Sequence, residues 1–180
     1  IKIIEPRTFA STRALQSLTI SKNTLTDLKP GAFEGLDQLT NLDLSENQMT
    51  SITSGVFKGL AALKYLNLAS NAIGEVHSGI FDGLSGHKSA LKVIDLSVNV
   101  ISNMDGAAFN GLPSLKSLKL MFKNVSSSLV FDSMFSLNRL DMDGYRVALT
   151  PSNISTHALY NLRHLHVKNC NFPTLHDRFL

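Results

Sequence analysis

A chain of 180 residues with 43% hydrophobic content can bury a sizeable core and is too apolar for disorder. Its formal charge of +3 divides as zero over residues 1–90 and +3 over 91–180, far from the like-charge run of a nucleic-acid-binding tail. No apolar run approaches the roughly 18 residues of a membrane span, and no signal-peptide pattern is present.

The elements recur. Ile1, Ile4 and Phe9 fit the tail of a block whose start is missing, and full blocks then begin at Leu15, Leu39, Leu63, Leu91, Leu115 and Leu137. The spacing predicts a partial repeat over 1–14, repeats over 15–38, 39–62, 63–90, 91–114, 115–136 and 137–161, and a partial repeat over 162–180. The first four full blocks share LxxLxLxxNxLxxLxxxxFxGLxx, with Ile, Val or Met sometimes standing for Leu. Asn23, Asn47, Asn71 and Asn99 hold its ninth position, and Phe33, Phe57, Phe81 and Phe109 its nineteenth. The third block carries an insertion, SGHKSA at 85–90, with the composition of a polar loop.

Regularity fades after residue 114. The later blocks keep the strand leucines (Leu115, Leu118, Leu120; Leu137, Leu140; Leu162, Leu165) but place Lys123, Tyr145 and Cys170 at the ninth position. Phe131 and Met134 still match the Phe-x-x-Leu spacing, whereas Thr156 stands where a phenylalanine is expected. Neither end carries a cysteine-rich cap over the open core, so the chain is expected to be a stretch of a longer stack with its caps missing.

In LxxLxL the fourth and sixth residues point one way and the third and fifth the other. One such strand cannot bury its leucines, but stacked copies form a parallel sheet over a continuous core. Where the chain leaves the strand and turns, buried backbone groups need partners, and an amide side chain both donates and accepts.

The template resembles the leucine-rich repeat family, in the roughly 24-residue form common in animal extracellular proteins such as Toll-like receptors and Slit. The stretch LRHLHVKNCNFPTL is similar to the Asn-Cys repeats of Toll-like ectodomains. The resemblance implies an α/β-type solenoid: a horseshoe fragment with a concave parallel sheet and an irregular or short-helical convex side. It also implies an asparagine ladder through Asn23, Asn47, Asn71 and Asn99, and a phenylalanine stack on the convex side.

Function in such a fold is expected on the concave face, at template positions two, three, five, seven and eight. Tyr65, Val93, Val98, Met121 and Phe122 would be exposed there, rimmed by Lys64, Lys92, Lys116 and Lys119. Tyr65, Val93, Val98, Lys119, Met121 and Phe122 are therefore the candidate ligand-binding residues, since aromatic anchors dominate protein-binding patches. The alternative is scattered surface residues, or an irregular fifth block that turns Met121 and Phe122 inward.

Asn124-Val-Ser126 and Asn153-Ile-Ser155 are glycosylation sequons and favour an extracellular address. Cys170, the only cysteine, reads as a small buried thiol in place of a ladder asparagine. His164 and His166 face one way near Asp141, but Arg139 and Arg163 oppose a cation, so neither a metal nor a cofactor is expected. No phosphate loop, Gly-x-Ser-x-Gly elbow or His-Glu-x-x-His helix occurs, and no catalytic residue is assigned. The expectation is a non-catalytic ectodomain of a cell-surface receptor that takes a protein or microbial ligand and dimerises. No nucleic-acid partner is expected, and membrane attachment would come only through segments outside this chain. The alternative is an adhesion or guidance module, or a secreted binding scaffold.

Overall fold

A computed structural model of the chain describes residues 1–86, 89–105, 107–123, 134–145 and 159–170. Eleven strands occur among them: β1 (Ile3–Ile4), β2 (Ser17–Thr19), β3 (Asp27–Leu28), β4 (Asn41–Asp43), β5 (Tyr65–Asn67), β6 (Glu75–Val76), β7 (Val93–Ile101), β8 (Asn103–Met104), β9 (Ser117–Lys123), β10 (Arg139–Tyr145) and β11 (His164–Lys168). The one helical element described is a 3-10 turn, Asp82–Leu84.

Seven strands form one parallel sheet in the order β2-β4-β5-β7-β9-β10-β11. The register aligns Leu18, Leu42, Leu66, Ile94, Leu118, Leu140 and Leu165, the fourth residues of their blocks, as one file, each directly opposite the next. Two two-stranded parallel sheets, β1-β3 and β6-β8, lie beyond the turn that follows the main strand. The fold is thus a parallel β-solenoid, a leucine-rich repeat horseshoe fragment with a strand on the concave side of every turn.

The core lies between the main sheet and the convex loops. Leu42, Leu44, Leu66, Leu68, Ile94, Leu96, Leu118 and Leu120 fill it from the sheet. Phe9, Phe33, Phe57, Phe81 and Phe109 fill it from the other side as one stack, with ring centroids 6.3, 6.4, 6.1 and 5.5 Å apart. Phe33 to Phe109 are buried, and each adds ring–ring attraction to its area term.

The asparagine file makes the bonds a turn inside a core requires. Asn47 Nδ2 donates to Leu44 O and Ser45 O of its own turn and to Ile20 O one turn back, while its Oδ1 accepts from Leu25 N. Asn71 repeats the set with Leu68 O, Ala69 O, Leu44 O and Met49 N, and Asn99 with Leu96 O, Ser97 O, Leu68 O and Ile73 N. Asn23 is less buried and accepts from the Ile1 amino group. Each buried amide therefore satisfies groups on two turns at once.

Just before the asparagine the chain reverses through a left-handed residue: Lys22 (φ 56°), Glu46 (53°), Ser70 (55°) and Val98 (53°). The fifth repeat does not turn there. With Lys123 in place of asparagine, β9 runs straight on and keeps its alternation, so Leu118, Leu120 and Phe122 all point into the core. Phe122 is fully buried, opposite Ile101 on one side and Gly144 on the other. Its assignment to an exposed concave patch is therefore wrong, and the inward alternative holds for it. Met121, one residue earlier, keeps the outward parity and stays half-exposed.

Candidate functional site

The concave face is built from the outward residues of the main strands. Register makes Tyr65 and Val93 direct neighbours, places Asp95 beside Lys119, and sets Met121 beside Asp143. Tyr65 is 45% exposed and Val98 59%. The candidate residues do not form one patch. Tyr65 and Val93 line a first hollow with Ser17, Thr19, Asn41, Asp43, Asn67 and Asp95. Lys119 lines a second hollow with Ser97, Arg139, Asp141, Asp143, His166 and Lys168. Val98 stands at the left-handed turn and lines neither hollow.

The first hollow is polar and floored by turn caps. Asp43 Oδ1 accepts from Ser45 N at 2.9 Å, Asn67 Oδ1 from Ala69 N at 3.1 Å, and Asp95 Oδ1 from Ser97 N at 3.0 Å. Each acceptor orients itself by bonding the backbone two residues on, an Asx turn. The sequence places them at the fifth template position, among the concave side chains, and does not disclose the cap. The signal that could have found them is Asp or Asn at position five with a small residue at position seven.

The second hollow is charged. Lys119 Nζ meets Asp95 Oδ2 at 2.7 Å, and Arg139 Nε meets Asp141 Oδ2 at 2.9 Å. Burial pushes the Asp95 carboxyl up, but the Lys119 ammonium and the Ser97 donors together outweigh it and hold Asp95 below the ordinary carboxylate range. Asp141 Oδ1 is buried and has no hydrogen-bond partner in the structure. His166 lies beside Asp141 in register and is exposed, as is His164. Among the described residues no group of three His, Cys, Asp or Glu side chains is placed to hold a metal.

Cys170 is half-buried, and its thiol is pushed up first by burial and then by the Asp143 charge, which makes it a poor nucleophile. Asn124 and Asn153 lie outside the described residues, as do Phe131 and Thr156. Among the described residues no helix is long and apolar enough to cross a membrane.

The family model described as "Leucine rich repeat" matches residues 1–49 and 37–88. No curated protein matches the chain in sequence. Among solved structures, TLR13 in its complex with ssRNA13 superposes with a TM-score of 0.87 at 26% identity, over 99% of this chain and 25% of that one. Human 5T4, also called Wnt-activated inhibitory factor 1 or trophoblast glycoprotein, superposes at 0.68 and 24% identity, over 89% of this chain and 61% of that one, a likeness of fold alone. This chain thus spans about a quarter of the TLR13 chain it matches. Strand register, asparagine file, phenylalanine stack and family model agree, and the chain belongs to the leucine-rich repeat family, in the form used by receptor ectodomains.

Proposed function

We propose that this chain is a non-catalytic, ligand-holding segment of a cell-surface or endosomal receptor ectodomain, with its partner seated on the concave face near Tyr65, Val93 and Val98. One observation carries the reading. Val98 is a β-branched residue held at φ 53° with more than half its surface in water, where glycine or asparagine would fit without strain. The turn imposes that backbone, as it does at Lys22, Glu46 and Ser70, and what sets Val98 apart is a large exposed apolar side chain at that place, the contact a partner would cover. Tyr65, half-exposed above the first hollow, is the matching aromatic anchor. Lys119 and Met121 extend the same face toward the second hollow.

A protein or microbial ligand and a dimeric receptor fit this reading, and because the similar TLR13 structure is of a complex with ssRNA13, RNA belongs among the probes. An adhesion or guidance module is the second reading, supported by the fold likeness to 5T4. Glycans at Asn124 and Asn153 would accompany either. Site-specific photo-crosslinking tests the concave face. A photoreactive residue at Tyr65 should capture a cell-surface partner that the same residue at convex Lys58 does not. Equal capture from both positions, or capture from Lys58 alone, overturns the concave assignment. Mass spectrometry of the native protein should find glycans at Asn124 and Asn153; two bare asparagines would remove that support for a secretory route.

A further inference from the structure

The concave face is electrically polarised across its strands, and its basic edge is one backbone-joined file broken in charge only at Asn138. The second residues of the blocks are joined backbone to backbone: Lys92 N donates to Lys64 O, Lys116 N to Lys92 O, Asn138 N to Lys116 O and Arg163 N to Asn138 O, at 2.9, 2.8, 2.9 and 2.8 Å. Their side chains leave the sheet one strand spacing apart, about 4.8 Å, along a row about 19 Å long. Lys64, Lys92, Lys116 and Arg163 are all exposed. Positions two and three carry no carboxylate in any of the seven blocks. The face's acids, Asp43, Glu46, Asp95, Asp141 and Asp143, stand further along at positions five, seven and eight.

Among the described residues Lys22 pairs with Glu46, Lys119 with Asp95 and Arg139 with Asp141, while Lys168, at position seven, joins no ion pair. None of Lys64, Lys92, Lys116 or Arg163 joins an ion pair among them. A row of like charges at strand spacing repels itself and concentrates anions. We infer that this edge binds a linear sulfated polysaccharide, with Lys64, Lys92 and Lys116 as its consecutive charge contacts.

Two features favour a sulfated polysaccharide over a nucleic acid. Three of the four cations are lysines, flexible point charges without the planar fork that suits phosphate and base edges. Single-stranded nucleic acid also needs stacking platforms along the cations. The loops leading into the dense part of the row offer Ala61, Ala62, Ser89, Ala90, Pro113 and Ser114 instead. Tyr65 is a single ring beside Lys64, and the exposed pair Phe135 and Tyr160 borders the sparse end, where Asn138 interrupts the charge.

The experiment uses the full chain and size-defined heparin oligosaccharide as probe, with desulfated heparin, oligo-deoxythymidine and poly-glutamate as competitors. Binding should weaken as salt rises, and Lys64→Ser/Lys92→Ser/Lys116→Ser together should weaken it by about tenfold or more. Lys22→Ser/Lys29→Ser/Lys58→Ser removes equal charge elsewhere and should leave binding within about twofold. Heparin should also shield Lys64, Lys92 and Lys116 of the wild-type protein from acetylation, a readout that needs no variant to fold. Equal loss in both triple variants, no shielding, or tighter binding of oligo-deoxythymidine or poly-glutamate than of heparin would overturn the inference.

Discussion

Lys119 reaches back one strand and places its Nζ 2.7 Å from Asp95 Oδ2, while the other oxygen of Asp95 caps Ser97 N. One carboxylate thus ties two strands and fixes a turn. Asp95→Asn keeps the cap and loses the charge; Asp95→Ala loses both. With Lys119 40% exposed, solvent screening limits the ion pair, so Asp95→Asn should cost about 1 kcal/mol and Asp95→Ala about 2 kcal/mol in urea unfolding. Equal losses would remove the cap from the account.

The same pair sets a pH dependence. Asp95 is a stronger acid folded than unfolded, where its ordinary value is 3.8. Its stabilisation is therefore fully present above that value and disappears as pH falls through the lower folded value. Between pH 5 and pH 3 the wild type should lose more stability than Asp95→Asn. Parallel curves from the two proteins would show that Asp95 does not contribute.

Asn71→Leu removes three donated bonds and one accepted bond from a buried turn, leaving Met49 N and the carbonyls of Leu44 and Leu68 without that partner. Stability should fall by about 2–4 kcal/mol. Asn23→Leu, at a less buried turn, should cost less than half of that. If Asn71→Leu unfolds at the wild-type urea midpoint, the ladder carries no net stability.

Val98→Gly relaxes a left-handed β-branched residue and should raise stability by about 1 kcal/mol while weakening partner binding. A calorimetric melt and the crosslinking yield from Tyr65 read the two effects separately. A less stable Val98→Gly protein would mean that the turn is unstrained.

Phe122→Ala should cost about 3–5 kcal/mol, as for any large buried ring, and Met121→Ala well under half of that. Near-equal melting temperatures would return Phe122 to the surface.

That contrast marks the limit of what the sequence discloses. Leucine register, the asparagine file and the ring stack are positional: each needs only the same residue at the same offset in successive turns. The fate of Phe122 is relational. It depends on whether Ile101 and Gly144, in two other turns, accept an extended partner, and no offset within the fifth block encodes that. Lys123 announces that the usual turn is missing but not what replaces it. The caps by Asp43, Asn67 and Asp95 were overlooked for a different reason. An outward-pointing polar side chain looks free until its own backbone is seen to bond it.

The unbroken run of β9 past the usual turn has a mechanical consequence. A solenoid pulled from its ends carries load in series, and each junction between turns is a separate link. From Asn47 to Asn99 those links are the same design, a short strand pairing braced by one amide. Between β7 and β9, and again between β9 and β10, the brace is absent and a longer ladder stands in its place, through Phe122 on one side and Lys123 on the other. Pulled in the direction that joins strand to strand, a short braced link opens after few bonds, whereas a longer ladder has more bonds to break at one junction. Under tension the braced junctions from Asn47 to Asn99 would open before the junctions on either side of Phe122.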